Sequence, residues 1–277
     1  MLVGLALTVL VVGLVVALLV GTRWRDGLVG SLAGDREPSP EASRAVVRAE
    51  SEDALLEPPG QLRITLADRL PARLPAEGVP EGWALWTFAG APSVELLRDG
   101  GRVALRLRSD RASFALYRDV VVDLDVRPVL AWSWKVVQLP RDADVRDPAS
   151  DDQAAQLYVI FPRWPSPRTS SDVIGYVWDS RAPVGTTLPH PRAPNVRIVV
   201  VDSGSAQLDR WVRHERNVAE DFRVLFGRRP PRVGQVALMI DSNDTQAAAE
   251  AFFGPLTFGG AGSARLESSE NSIAVLR

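Results

Sequence analysis

Two stretches of this sequence carry enough side-chain oxygen, closely enough spaced, to do chemistry. Asp151-Asp152 stands just before an apolar run, and Asp241-Ser242-Asn243-Asp244-Thr245 stands just after another. Paired carboxylates can serve as general acid and base, or can hold a hard cation such as Ca²⁺. The same residue types also cap backbone N–H groups in turns, because Asp and Asn side chains reach the main chain two residues on. The second stretch lacks the sixth-position glycine and the flanking helices of an EF-hand loop. Asp241, Asn243, Asp244 and Thr245 therefore stand as metal-ligand candidates or as turn and helix-cap residues. Asp151 and Asp152 stand as ligand-binding residues, as catalytic carboxylates or as caps. Hydrolysis of a glycosidic bond needs only two carboxylates at a suitable separation, and a sequence does not state that separation.

Other chemistries find less to work with. Ser203-Gly204-Ser205 lacks the Gly-x-Ser-x-Gly elbow of a nucleophilic serine. There is no glycine-rich phosphate loop and no dinucleotide fingerprint. The absence of cysteine excludes disulfides, thiol catalysis and thiolate metal sites, and the only histidines, His190 and His214, lie in unrelated contexts. Basic and acidic residues number 32 and 34 and no long run of one sign occurs, so the basic stripe of a nucleic-acid binder is missing. No cofactor is called for beyond a candidate Ca²⁺.

Aromatic residues supply a second kind of candidate. In Leu130-Ala131-Trp132-Ser133-Trp134-Lys135-Val136 the large apolar residues alternate, so Leu130, Trp132, Trp134 and Val136 share one face of a strand. They either fill a core or form an aromatic platform on which sugar rings could stack. Ile174, Tyr176 and Trp178 pose the same choice, and their mixed surroundings point to a partly exposed face. Gln156 and Tyr158 share the less apolar face of their strand, and Trp164, between prolines, is placed to sit on a binding loop.

These residues need elements to hold them. Leu2–Val20 is free of charge, and fourteen of its nineteen residues are Leu or Val; about 20 such residues span a bilayer core as a helix. Residues 1–26 read as a transmembrane or signal anchor, longer than the apolar region of a cleaved signal peptide. Residues 27–60, rich in Gly, Ser, Pro, Glu and Ala, read as a flexible linker. From residue 61 to about 260 short β-rich runs alternate with turn residues, at 62–66, 83–88, 103–108, 114–117, 120–126, 130–137, 154–161, 173–178, 196–201 and 235–240. Asp99-Gly100-Gly101 has the composition of a hairpin turn. Ten short strands with few helices between them predict an all-β sandwich or jelly roll. One helix is well signalled: Asn217 as cap, Glu220 completing a capping box, then Val218, Phe222, Leu225 and Phe226 on one face. Gly227 ends it. A second helical turn is expected at 246–253 before Gly254-Pro255, and 261–277 read as a disordered tail.

Taken in order, several segments resemble the uncharacterised bacterial family DUF3047. They are Leu130–Val136, Asp151–Phe161, Gly175–Trp178, Arg216–Phe222, Phe226-Gly227, Ile240–Thr245 and Ala251–Phe258, spread over roughly residues 80–258. The resemblance implies an exported all-β domain and brings no established activity. Gln156 stands where the family leads one to expect a basic residue, and Ser242-Asn243-Asp244 departs from its usual order. The closing 253–258 segment is similar to the last strand of sugar-binding jelly rolls.

The first expectation is a non-catalytic module, tethered to the inner membrane with its domain on the periplasmic side, that binds a cell-envelope glycan. Its candidate ligand residues are Tyr158, Tyr176, Trp178, Trp164, Gln156, Asp151 and Asp152. The alternatives are a carbohydrate hydrolase using Asp carboxylates and a scaffold for another envelope protein.

Overall fold

A computed structural model describes residues 60–163 and 171–260 of the chain. The expected span at 2–20, most of the linker, Trp164 and the tail lie outside the described residues. Among the described residues no helix is long and apolar enough to cross a membrane.

The described chain is a two-sheet β-sandwich, jelly-roll-like, with one α-helix. Its strands are β1 (Leu62–Ile64), β2 (Ala76–Glu77), β3 (Ala84–Ala89), β4 (Ser93–Asp99), β5 (Arg102–Asp110), β6 (Ser113–Val122), β7 (Val129–Gln138) and β8 (Ala155–Phe161). There follow β9 (Asp172–Asp179), β10 (Thr187–His190), β11 (Ala193–Ser203), β12 (Val212–Asn217), the helix α1 (Val218–Phe226), β13 (Val233–Asp241), β14 (Ala248–Phe253) and β15 (Leu256–Gly259). One sheet runs β1-β15-β7-β14-β5-β4-β2, with β12 on the free edge of β7; the other runs β10-β11-β9-β8-β13-β6-β3. We call them the first and second sheets. Among the described residues only the β9–β11 pair is parallel.

The strand pattern of the sequence translates directly into the core. Leu130, Trp132, Trp134 and Val136 of β7 are all buried and meet Leu157, Val159, Ile174, Tyr176, Trp178, Val236 and Leu238 of the opposite sheet. Trp132 packs on Tyr176 across the gap, ring centres 5.2 Å apart. Each such side chain withdrawn from water contributes about 1.5–3 kcal/mol. Trp134 Nε1 donates to Asp202 of β11 at 2.7 Å, tying one sheet to the other.

The second sheet is covered on both faces. A second apolar cluster on its far side joins Tyr117, Ile160, Val173, Val177, Ile198 and Val200 to the loop residues Val145 and Ala182. The expectation of a partly exposed face on β9 is therefore corrected. All eight residues of β9 are buried, Tyr176 to 0% and Trp178 to 1% exposure.

The helix forms where expected. Asn217 accepts from the Glu220 amide at 3.0 Å, and Gly227, at φ 68°, ends the helix with its N–H on the Arg223 carbonyl. Phe222 packs on Phe161 of β8, centres 4.6 Å apart. The second helical turn expected at 246–253 is a correction, since these residues contribute strand β14 between β5 and β7. The run at 114–117 and the first part of that at 120–126 also merge, into the single strand β6, which ends at Val122 before a turn.

Candidate functional site

The fold brings the two carboxylate stretches together. Asp151 and Asp152 precede β8, Asp241 closes β13, and β8 and β13 are hydrogen-bonded neighbours. Asp152, 0% exposed, receives the Asp244 amide at 3.1 Å, the Thr245 amide at 2.6 Å and the Thr245 hydroxyl at 2.5 Å. Both its oxygens are thus spent holding the 242–246 turn. Asp151 accepts from Gln153 Nε2 at 3.1 Å and faces His190 Nε2 at 2.9 Å. His190 Nδ1 accepts from the Arg192 amide at 3.1 Å, which assigns the ring proton to Nε2 and makes the imidazole a donor to Asp151. Arg192 in turn binds Asp244 at 2.8 Å. Gln156 accepts from the Tyr158 hydroxyl at 2.5 Å and donates to the Gln153 carbonyl at 3.4 Å.

Electrostatics follow from this packing. Burial, and next the charge of Asp152, push the Asp241 carboxyl well above the ordinary carboxylate range. Burial also raises Asp244, with Arg192 opposing it. Tyr158 is raised as well, first by burial and then by the charges of Asp151 and Asp241. A hard cation needs six to eight free oxygens, whereas Asp152 here is saturated by N–H and O–H donors and Asp244 is held by a guanidinium. Asn243 directs its amide nitrogen at Asp244, 3.1 Å away. Among the described residues no group of three or more acidic or histidine side chains is arranged to hold a metal ion. The metal candidates Asp241, Asn243, Asp244 and Thr245 are thus corrected to a turn and its anchor.

Tyr176 and Trp178 lie away from this cluster, inside the sandwich. Tyr176 donates to Asp221 of α1 at 2.7 Å, and Trp178 donates to the Gly204 carbonyl at 3.0 Å. Neither ring face is open to a ligand.

The opposite pattern appears on the outer face of the first sheet, where the alternate residues of β7 emerge. Strand register aligns Glu95 of β4, Arg106 of β5, Phe252 of β14 and Lys135 of β7 in one line across the sheet. Lys135 Nζ lies 4.2 Å over the Phe252 ring. It also binds Asp99 at 2.7 Å, and Asp99 accepts from Trp211 Nε1 at 2.6 Å. Two strands separate β4 from β7, so Asp99 can reach Lys135 only if the tip of the β4–β5 hairpin leaves the sheet and arches over it. Arg102, the other residue of the tip, stacks 4.8 Å over Trp211.

Beyond this clasp the face opens into a trough of about 220 Å³. Ala131 and Ser133 of β7 and Thr257 and Gly259 of β15 line it, with Arg63 of β1 on one flank and Arg213 and Glu215 of β12 on the other. Arg63, Thr257, Ala131 and Glu215 are successive register partners across four strands. The floor is shallow because its side chains are small, and the walls are long and charged. A Cβ on the adjoining Gly254 would sit 2.6 Å from Ser133 Oγ, so the chain just past β14 runs close against β7 and a larger residue there would have to displace the Ser133 hydroxyl. Of the trough residues only Trp132 was singled out in the sequence. The signal that could have found them is the other half of β7: Ala131, Ser133 and Lys135 alternate with the two tryptophans.

A family model described as a protein of unknown function, DUF3047, matches residues 81–257. No curated protein matches the chain. The chain is similar to several solved structures. A family 11 carbohydrate-binding module of a cellulosomal cellulase of Clostridium thermocellum is 8% identical, covering 74% of this chain and 97% of its own, at a TM-score of 0.38. A family 30 module from the same organism is 10% identical, covering 73% and 98%, at 0.37. A xyloglucanase domain of an effector from Sinorhizobium fredii, in complex with cellobiose, is 10% identical, covering 67% and 97%, at 0.37.

Proposed function

This chain belongs to the DUF3047 family, and from that premise we propose that its sandwich is a binding module that takes a glycan in the trough on the outer face of the first sheet. The observation that carries the reading is the trough itself. It has a floor of small residues, apolar and polar in turn (Ala131, Ser133, Thr257, Gly259), and polar walls on both sides (Gln61 and Arg63 against Arg213 and Glu215). A sugar ring presents C–H groups on its faces and hydroxyls around its rim, which matches such a floor and such walls. At about 220 Å³ the trough is smaller than the pockets that enclose drug-sized ligands, about 300–1,000 Å³, and suits one ring of a chain that runs on across the sheet.

A hydrolase reading has to use the carboxylates, and their geometry speaks for structure. Asp151, Asp152 and Asp244 are each held by donors of the protein itself, and Asp241 is partly buried beside Asp152, which disfavours its charged form. In the same proposal the apolar run Leu2–Val20 tethers the domain to the inner membrane through the 27–60 segment, with the domain on the periplasmic side, where envelope glycans lie.

The test is a titration of the full chain, detergent present, against a panel of soluble polysaccharides, followed by tryptophan fluorescence and by Tm. A ligand should raise Tm by its mass-action contribution, about 2.7 kcal/mol at a hundredfold excess over Kd. Ala131→Phe should fill the trough and abolish the effect while leaving the Tm of the free protein within a few degrees. Binding that survives Ala131→Phe would move the site elsewhere, and a panel without a single binder would sink the reading.

A further inference from the structure

Along β7 the floor of the trough stops at Ser133. The next outward residue of that strand is Lys135, about 7 Å further on. Trp211 stands one position before the Val212–Trp134 register pair, hence opposite Lys135, and its ring centre lies 5.9 Å from Lys135 Nζ. The row of Lys135 and Trp211 therefore continues the floor of the trough and its β12 wall. What covers this row is the arching tip of the β4–β5 hairpin, and the tip presents to it what a sugar ring would present. Asp99 offers one carboxylate oxygen to Lys135 Nζ at 2.7 Å and the other to Trp211 Nε1 at 2.6 Å, as ring and hydroxyl oxygens can. The flat guanidinium of Arg102 lies on the indole face, where the C–H face of a sugar would stack. Gly100, Gly101 and Arg102 are exposed, so the tip is held down by these polar contacts, for which water and ligand hydroxyls compete.

Resting on the glycan reading above, we propose that residues 99–102 are a strap over a second sugar subsite, formed by Lys135 and Trp211, and that a glycan of several rings displaces it. One ring sits in the trough. The next takes the places of Asp99 and Arg102, accepting from Lys135 Nζ and stacking on Trp211. The strap makes the site selective for length. A ligand too short to reach Lys135 gains nothing from its lifting. A longer one takes the molecules whose strap is lifted, so its apparent Kd is the intrinsic value divided by that fraction.

The experiment titrates the full chain, detergent present, with β-linked disaccharides and hexasaccharides of N-acetylglucosamine and, in parallel, of glucose. The hexasaccharide should bind about tenfold more tightly than the disaccharide, a difference of about 1.4 kcal/mol. It should also speed amide exchange across residues 97–104 severalfold, where a ligand that merely covered the surface would slow it. Trp211→Ala should cost the hexasaccharide about that tenfold and the disaccharide nothing. Asp99→Asn loosens the strap and leaves Trp211 in place, so the hexasaccharide should bind this variant severalfold more tightly than the parent and the disaccharide should bind both alike. A Trp211→Ala protein that keeps its full hexasaccharide affinity, an Asp99→Asn protein that gains none, or exchange at 97–104 that slows on binding would overturn the strapped subsite while leaving the trough as a glycan site. If none of the four oligosaccharides binds, the glycan reading falls and the strap inference with it.

Discussion

At Asp241 the fold sets a partly buried carboxyl beside a second carboxyl, Asp152, that already accepts three hydrogen bonds. Its proton is taken up more tightly in the folded than in the unfolded chain. The folded state therefore binds more protons than the unfolded one above the unfolded value of about 3.9, and stability falls as pH rises from there towards the raised folded value. Asp241→Asn keeps the shape of the protonated group without that cost. We expect the variant to melt higher than the parent at pH 7, by about 2–4 °C for each kcal/mol relieved in a domain of this size. The two should converge as pH falls below about 3.9, where the carboxyl is protonated in the unfolded chain as well. A lower melting temperature at pH 7 would show that the anion is the working form. The sequence made Asp151, Asp152 and Asp241–Thr245 visible as candidates and left their meaning open. What it hid was His190 and Arg192, about forty residues from the first stretch and about fifty from the second, which donate to Asp151 and pair with Asp244 and turn an apparent cation site into an anchored turn. Residue type gives the donors and acceptors, but only the tertiary fold says which are already satisfied.

At the scale of elements, the β4–β5 hairpin shows a turn that was legible and a destination that was not. Asp99 pairs with Arg102, leaving Gly100 and Gly101 as a two-residue loop with φ of 57° and 87°. A loop of type I′ requires positive φ at both positions, which glycine supplies freely. That much follows from Asp-Gly-Gly. That the tip folds over the sheet to meet Lys135 and Trp211 depends on β14 ending at Phe253, so that β5 loses its neighbour. Lys135, and then Trp211, hold the Asp99 carboxyl below its ordinary range, with burial opposing them. The contribution of this contact is complete above about pH 3.9 and is lost as pH falls through the lowered value. Asp99→Asn should loosen the tip at neutral pH. Amide exchange across residues 97–104 should speed up severalfold, while global stability drops by no more than about 1 kcal/mol, since the pair is partly exposed. Unchanged exchange at 97–104 would mean that the arch stands without its clasp. The misread strand β14 has a related cause. In Ala248-Ala249-Glu250-Ala251-Phe252-Phe253 the inward residues Ala249, Ala251 and Phe253 alternate properly, but Phe252 is also buried, under Lys135 on the outer face. An apolar residue on both faces erases the period of two that marks a strand.

Across the whole molecule, alternation told which face of each strand was apolar and thus that two sheets must close on one another. It did not tell which strands are neighbours, because a period of two is blind to the partner. The parallel β9–β11 pair and the return of β15 beside β7 follow from connections that only the folded chain reveals. The second apolar layer outside the second sheet was equally hidden: it is built from Val145 and Ala182, single residues of loops, set against Val177 and Ile198. One consequence concerns cooperativity. The main cluster runs without a break from Trp132 and Val136 of the first sheet, through Leu157 and Phe161 of the second, to Val218 and Phe222 of α1. The helix is therefore part of the sandwich core and not a lid upon it. Truncating Phe161, 0% exposed, to alanine should cost about 3–5 kcal/mol, the usual range for a buried phenylalanine. In a domain of this size that is a fall in Tm on the order of 10 °C. The loss should appear in one calorimetric transition, followed identically by far-ultraviolet circular dichroism and by the fluorescence of Trp132 and Trp134, because helix and sheets share the contact that was removed. A second, earlier transition confined to the helix would instead make α1 a separable element, and the Phe161–Phe222 contact a surface seam and not part of the core.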